Sequence, residues 1–280
     1  MEPNKQPPHN PDSTKARAQV QSNSGAVAES FFGYFTPVYT PFYADNPKLV
    51  QETQRIRHEV YCEEFGFEPR TANGLEVDPH DAHAHHVLLK HNASAVFAGS
   101  ARLVTPGGER SLQRLPLYQH CWQCIAPQWR ERLEDDAGRC GEISRLAVRA
   151  QFRRRQQDLR LPAGSVGESN ASVDAQQTRR TLPFIALGIY LSIAAVAEIL
   201  HRRGQLDAVF VMMEPRLYRN LKIHGIRFEQ IGEVADYHGK RAPFIITEQG
   251  LSQALNPDVA EIINALIDRF TTTTAGLPLN

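Results

Sequence analysis

The sequence has no excess of charge of either sign, since 31 of its 280 residues are lysine or arginine and 31 are aspartate or glutamate. This balance excludes the diffuse positive field by which many proteins bind nucleic acid non-specifically. Electrostatic recognition must therefore come from local clusters of charge, and no nucleic-acid partner is predicted. Hydrophobic residues at 41% and charged residues at 22% are typical of a globular protein.

The beginning of the chain has no apolar segment that could serve as a secretory signal. Residues 1–30 are instead polar and rich in proline, serine and asparagine, a composition that predicts a disordered tail. We therefore expect a cytoplasmic protein whose four cysteines are reduced.

Only one long hydrophobic run is present, from Leu182 to Leu200. It is barely long enough to span a bilayer, it contains Glu198, and arginines stand at both ends without a positive-inside bias. A strand pattern, LDAVFVMM, begins a few residues later. These features favour a buried helix that covers a sheet, and no stable membrane span is predicted.

The histidine-rich stretch DPHDAHAHH and the stretch HCWQC lack the regular ligand spacing of a structural zinc site. Cys121 and Cys124 form a single CxxC pair, and Cys140 is distant from it in sequence. A structural zinc ion normally needs four well-spaced ligands, so no metal site is predicted.

The order of predicted elements indicates one α/β or α+β domain at residues 31–252. Asn46 and Pro47 open the first helix, a β-hairpin turns near Asn92, and CGEISRLAV reads as a buried strand. Residues 156–180 read as a mobile insertion within this domain. Residues 253–280 read as an amphipathic helix followed by a tail.

Six charged residues are embedded among apolar ones in and before these elements. They are Arg57, Asp78, Asp81, Arg102, Glu142 and Arg145. A lone buried charge is costly, but carboxylates and guanidiniums that neutralise one another are not. One reading is a functional site, and the other is a set of salt bridges that holds a helix to a sheet.

The spacing of these residues, with Tyr61 and Phe67, resembles the acyl-homoserine-lactone synthases. The stretches IRHEVYCEEFGFEP, GEISRLAV, MEPRLYRNLKIHGIRFEQIG and DYHGKRAPF more closely resemble the PEP-CTERM/exosortase system-associated acyltransferases. The resemblance implies a GNAT-like fold, with helices around a mixed, mostly antiparallel sheet. Phe67 stands where the lactone synthases usually have tryptophan, and the insertion at 156–180 is foreign to them, so the product is left open.

Acyl transfer to an amine needs a general base, and Glu142 is the best candidate, directly or through a water. Burial raises the pKa of such a carboxylate, whereas Arg145 lowers it. The resemblance implies catalytic roles for the six embedded residues. It also implies a substrate-binding set, which consists of Tyr61, Phe67, Leu146, Val148, Arg153, Arg154, Tyr218, His238 and Arg241.

No permanently bound cofactor is expected; the co-substrate is an acyl-phosphopantetheine. The basic stretch RAQFRRR favours acyl carrier protein over coenzyme A as its bearer, although such a stretch can also be a solvated loop. The acceptor is predicted to be a small-molecule amine. Two alternatives stay open: a synthase of N-acyl amino acids or acyl-homoserine lactones, and a non-catalytic module that binds acyl thioesters.

Overall fold

The computed structural model describes residues 31–106, 112–135, 139–153, 185–236, 239–247 and 257–273. The predicted tail at 1–30 and the predicted insertion at 156–180 lie outside the described residues, and so do Arg154 and His238.

The described strands form a mixed, mostly antiparallel sheet, as predicted. Their bounds are β1 Tyr39–Tyr43, β2 Ala84–His91, β3 Phe97–Val104, β4 Cys140–Val148, β5 Ala208–Met213, β6 Glu229–Gln230, β7 Ala235–Asp236 and β8 Lys240–Thr247. The order across the sheet is β1-β2-β3-β4-β5-β8-β6, and β7 also pairs with β8. Only the β4–β5 pair is parallel among these strands.

Helices lie against this sheet. Their bounds are α1 Pro47–Arg57, α2 Pro116–Cys121, α3 Pro127–Asp135, α4 Ala150–Arg153, α5 Ile185–Arg202, α6 Pro215–Ile223 and α7 Pro257–Thr273. Short π- and 3-10-helical segments are interspersed, and those at His58–Glu64 and Pro79–His83 help to form the site described below.

Helix α1 begins where the sequence predicts. The Asn46 side chain accepts a hydrogen bond from the Leu49 N–H at 3.1 Å, and Pro47 occupies the first turn, where a missing N–H costs nothing. After Arg57 the chain continues as the π-helical segment His58–Glu64, which shifts the side-chain register. Phe65, the residue that follows this segment, is 46% exposed.

Helix α5, Ile185–Arg202, corresponds to the long hydrophobic run of the sequence, and most of its residues are buried in the core, as predicted. By length and composition alone it could cross a membrane, and its mean hydropathy is 1.5. However, 72% of it is buried within the structure, against the sheet and α7. Near its end Glu198 accepts a hydrogen bond from Arg202 Nε at 2.7 Å. The apolar face predicted for α7 packs into the same core.

Strands β4 and β5 separate halfway along their length. Their pairing covers only Cys140–Ile143 against Ala208–Val211, whereas β4 continues to Val148 beside β3. The β3–β4 register shifts between Ser100 and Arg102, opposite Arg145, whose φ of 54° is uncommon for a non-glycine residue. This bulge and separation open a gap between two neighbouring strands near the middle of the sheet.

Candidate active site

A cavity of about 580 Å³ lies at the gap between β4 and β5. One wall comes from β4, including Glu142, Arg145 and Leu146, and another from β5, including Met212. A volume of this size is typical of small-molecule sites. The sequence-predicted residues that line it are Tyr61, Phe67, Asp78, Arg102, Glu142, Arg145, Leu146 and Arg241.

Two buried arginines hold the acidic turn before β2 against the sheet. Arg57 and Arg102 are each 1% exposed. Arg57 pairs with Glu76 and donates to Asp81 Oδ1 at 2.6 Å. Arg102 donates from Nη1 to Asp78 at 2.6 Å and to Asp81 at 2.7 Å. Each guanidinium therefore has two carboxylate partners, which offsets the cost of burying it.

The turn itself is built to present both aspartates. Asp78 caps the 3-10 segment by accepting from the His80 N–H at 2.9 Å, and Asp81 Oδ2 accepts from the Asp78 N–H at 3.1 Å. This reciprocal capping box fixes the two carboxylates toward the arginines. Burial alone raises the pKa of Asp81, but its contacts with Arg57 and Arg102 outweigh burial and hold that pKa below its usual range.

Arg145 completes this charged network from β4. Its Nη2 lies 2.8 Å from Glu68, 3.0 Å from Glu76 and 3.4 Å from Asp78. Its guanidinium also lies over the Tyr61 ring, 5.5 Å from the centroid. The network thus joins four carboxylates and three guanidiniums, which leaves one excess negative charge beside the cavity.

Glu142 stands apart from the ion pairs of this network. Its side chain is 3% exposed, and Oε2 accepts a hydrogen bond from the Leu117 N–H at 2.6 Å. Burial raises the pKa of Glu142 to about 8, although the Leu117 hydrogen bond and the charges of Arg102 and Arg145 oppose the shift. A buried carboxylate with a pKa near neutrality suits a general base.

Other predicted substrate-binding residues fall into two groups. The Tyr61 hydroxyl donates a hydrogen bond to the Leu146 carbonyl oxygen at 2.6 Å, which links the π-helical segment His58–Glu64 to the edge of β4. Phe67 stacks on Phe65, with ring centroids 5.2 Å apart. The other group lies away from the cavity lining and consists of Val148, Arg153 and Tyr218.

In this second group, the side chains of Arg153 and Tyr218 contact residues outside the cavity lining. Arg153 pairs with Glu64 and stacks over the Phe65 ring, 4.9 Å from its centroid. Tyr218 packs on Phe244, with ring centroids 4.5 Å apart. Neither side chain reaches the cavity in this conformation.

Sequence reasoning missed several residues of the site. Glu68 and Glu76 belong to the charged network, and His80 and Tyr190 line the cavity. The position of His80 between Asp78 and Asp81 was a usable signal. Leu117 gave no signal, because its contribution is a backbone N–H donated from 25 residues away in the chain.

A smaller apolar cavity of about 30 Å³ adjoins the main one between α5 and the sheet. Ile143 and Tyr190 line both cavities, and Ala194 and Phe228 line the smaller one. Apolar space therefore continues beyond the charged part of the site. Within the described ranges, no group of three or more histidine, cysteine, aspartate or glutamate residues could hold a metal ion.

Comparison with known proteins gives one domain match. Residues 56–162 match the model of the acetyltransferase (GNAT) domain, a range that contains the last two residues of α1, strands β2 to β4 and all seven residues of the charged network. No curated protein matches the sequence.

Several solved structures are similar to this one at low sequence identity. FeeM, an N-acyl amino acid synthase from uncultured soil microbes, is 15% identical with a TM-score of 0.46, over 78% of this chain and 94% of that chain. BjaI, a CoA-dependent acyl-homoserine lactone synthase, is 19% identical with a TM-score of 0.45, over 81% and 99%. TofI, in a complex with an inhibitor and MTA, is 19% identical with a TM-score of 0.45, over 79% and 99%.

The GNAT domain match and the mixed sheet with its β4–β5 gap agree on the class of fold. The fold is GNAT-like, as predicted from the sequence, and the GNAT domain match at residues 56–162 supports an acyltransferase.

Proposed function

We propose that the protein transfers a fatty acyl group from a phosphopantetheine thioester to an amine, with Glu142 as the general base. One observation carries this proposal. A buried carboxylate faces a 580 Å³ cavity, and its hydrogen-bond partner among the described residues is the Leu117 N–H. The carboxylate is thus oriented but not neutralised by an ion pair, which leaves it able to accept a proton.

The donor arm is proposed to lie along the open edge of β4. Beyond Ile143 this edge turns away from β5, so its backbone can pair with the pantetheine amides as an added strand would. Leu146 lies on this edge and lines the cavity. The acyl chain would then extend toward Ile143 and Tyr190, where the apolar space continues beneath α5.

The chemical step is aminolysis of the thioester. The amine nitrogen attacks the thioester carbonyl carbon while Glu142, directly or through a water, removes the ammonium proton. Collapse of the tetrahedral intermediate forms the amide and expels the pantetheine thiolate, which takes up a proton. Holding both substrates at the gap supplies proximity, and no covalent enzyme intermediate is required.

The charged network is proposed to shape the acceptor side of the cavity. Asp81 and Arg57 pair with each other and do not line the cavity, whereas Asp78, Arg102 and Arg145 do line it. Their role in this proposal is to fix the bulge of β4, and with it the position of Glu142, rather than to exchange protons. Asp78 is held ionised, because its contacts with Arg102 outweigh the effect of burial on its pKa.

We also propose acyl carrier protein as the donor, an association with an exosortase system, and a cytoplasmic location. These finer points are supported by the sequence resemblance. In the described part of the basic stretch, Arg149 pairs with Glu52 and Glu59 and Arg153 pairs with Glu64. Carrier-protein preference is tested by comparing kcat/KM for one acyl chain on carrier protein and on coenzyme A, with a higher value expected for the former.

Glu142→Gln tests the proposed function directly, because glutamine keeps the volume but cannot accept the proton. Lipids from cells that overexpress the full-length protein should contain an acylated amine that is absent from vector controls. We expect the purified variant to form this product about 10²–10⁴-fold more slowly than the wild type. Glu134→Gln, which neutralises an exposed carboxylate on α3, should be indistinguishable from the wild type. Equal turnover by Glu142→Gln would contradict the assignment.

A further inference from the structure

Tyr190 stands at the junction of the two cavities. It lies on α5, is 3% exposed, and lines both the main cavity and the smaller apolar one. Its hydroxyl makes no hydrogen bond with any residue that the structure describes. By contrast, the Tyr61 hydroxyl in the same cavity is bonded to the Leu146 carbonyl oxygen at 2.6 Å. The described residues therefore leave the Tyr190 hydroxyl available to a substrate.

The hydroxyl of Tyr190 is on the side of the main cavity. It interacts electrostatically with Tyr61 and with Arg241, both of which line that cavity. Tyr61 in turn is bonded to Leu146, the residue where the pantetheine arm is proposed to pair. The thioester carbonyl joins this arm to the acyl chain, which is proposed to continue into the smaller cavity. The carbonyl would therefore lie at the junction, beside Tyr190.

Glu142 and Tyr190 approach this junction from opposite faces of the sheet. Successive residues of a strand point to opposite faces. On β4, Glu142 accepts a hydrogen bond from the Leu117 N–H of α2, whereas Ile143 packs in the core cluster that contains α5 and Tyr190. A thioester in the β4–β5 gap would thus have the base on one side and the tyrosine hydroxyl on the other.

The chemical step has a use for a hydrogen-bond donor at this position. As the amine attacks, the carbonyl oxygen gains negative charge, and a preorganised donor in a buried cavity stabilises that charge. Burial raises the pKa of Tyr190 above its usual value, and the charge of Arg241 opposes this only in part. Since an ordinary thiol has a pKa of about 8.5, proton transfer from this hydroxyl to the departing thiolate would be uphill. Tyr190 is suited to donate a hydrogen bond and keep its proton.

We infer that Tyr190 is a catalytic residue whose hydroxyl donates a hydrogen bond to the thioester carbonyl oxygen as that oxygen becomes the oxyanion of the tetrahedral intermediate. The inference rests on the proposed function and adds a second catalytic group to Glu142. Tyr190 transfers no proton, and Glu142 still removes the ammonium proton. The bond to nitrogen forms and the carbon–sulfur bond breaks as in the aminolysis described above.

The first test compares the full-length wild type with Tyr190→Phe, which removes the hydroxyl alone. Lipid mass spectrometry of expressing cells measures the initial rate at which the Glu142-dependent acylated amine accumulates, at matched protein levels. We expect Tyr190→Phe to slow this rate about 10²–10³-fold, the loss typical of removing one oxyanion donor. Tyr39→Phe, which removes a buried hydroxyl on β1 outside the cavity lining, should accumulate the product at the wild-type rate.

The second test separates this role from a structural one. S-hexadecyl-pantetheine carries the donor arm and an alkyl chain but no carbonyl oxygen, so calorimetric titration with it reports binding of the arm and chain alone. Wild type and Tyr190→Phe should bind it equally tightly. Their melting temperatures should also agree, because the lost hydroxyl has no hydrogen-bond partner among the described residues.

The outcomes separate the inference from the proposed function. A wild-type rate of product formation in Tyr190→Phe would overturn the inference and leave the acyltransfer proposal standing. So would weaker thioether binding or a lower melting temperature that accounts for the slower rate. If the wild type does not bind the thioether, the proposed donor arm fails and the inference fails with it. The same follows if wild type and Glu142→Gln give the same lipids, since the proposed function itself then fails.

Discussion

Replacing Asp81 with asparagine separates a structural role of the charged network from direct contact with the acceptor. Asp81 accepts hydrogen bonds from Arg57 at 2.6 and 3.1 Å, from Arg102 at 2.7 Å and from the Asp78 N–H at 3.1 Å. In the variant an amide NH₂ replaces Oδ2, the atom that faces Arg57 Nη2 and the Asp78 N–H. Both of those contacts are then lost, since donors face donors.

The expected cost follows from these contacts. Each lost hydrogen bond to a charged group is worth about 1.5–3 kcal/mol. Arg57 keeps Glu76 and Arg102 keeps Asp78, so neither guanidinium is left without a carboxylate. We therefore expect Asp81→Asn to lower the free energy of unfolding by about 3 kcal/mol, at the lower end of the range for breaking a buried pair. For a protein of this size the melting temperature should fall by roughly 6–12 °C.

Urea unfolding of the variant and wild type measures this effect, with Asp268→Asn as the control. Asp268 is an exposed carboxylate on α7, and its replacement should change stability by less than about 0.5 kcal/mol. The pH dependence gives a second readout. Because the pKa of Asp81 is lowered by folding, its stabilisation is present above the unfolded pKa of about 4 and is lost as pH falls below it. The variant should lose less stability on acidification.

A particular result would refute this reasoning. If Asp81→Asn unfolded at the wild-type urea concentration while its KM for the acceptor rose more than tenfold, Asp81 would contact the acceptor rather than support the site.

Two further predictions concern packing and location. Gly99→Ala should destabilise the fold by about 1–3 kcal/mol, because the added Cβ would lie 2.6 Å from the Ala147 carbonyl oxygen. The control Gly33→Ala, whose Cβ would meet no atom within 4 Å, should not; equal melting temperatures for the two variants would contradict this packing. Fractionation without detergent should leave the full-length protein monodisperse in the supernatant, since α5 is covered by the sheet and α7. Recovery only from carbonate-washed membranes would contradict that location.

The elements that local chemistry specifies could be predicted from the sequence. The Asn46 cap with Pro47 marks the start of α1, the apolar run marks α5, and the apolar face of Val259 to Phe270 marks α7. Each depends on residues within a few turns of one another, so a single sequence carries the signal.

Contacts between distant segments could not be predicted in the same way. Glu142 was predicted to be one of the mutually neutralising charges, but in the structure Glu76 pairs with the arginines, while Glu142 accepts a hydrogen bond from the Leu117 N–H. Glu68 and Glu76 lie in a polar stretch where charge usually means exposure, and their pairing with Arg145 depends on the bulge in β4. The competing effects on the pKa of Glu142 likewise needed the burial that only the fold supplies.

The pH dependence of kcat/KM for Glu142→Gln and wild type tests the central claim most directly, using the acceptor identified from the cellular lipids. Because the pKa of Glu142 is about 8 and its ionised form is the base, wild-type kcat/KM should rise with pH and level off above an apparent pKa of about 8. In Glu142→Gln that inflection should be absent, and only the ionisation of the acceptor amine should remain. An inflection near pH 8 in both proteins would contradict the assignment of Glu142 as the base.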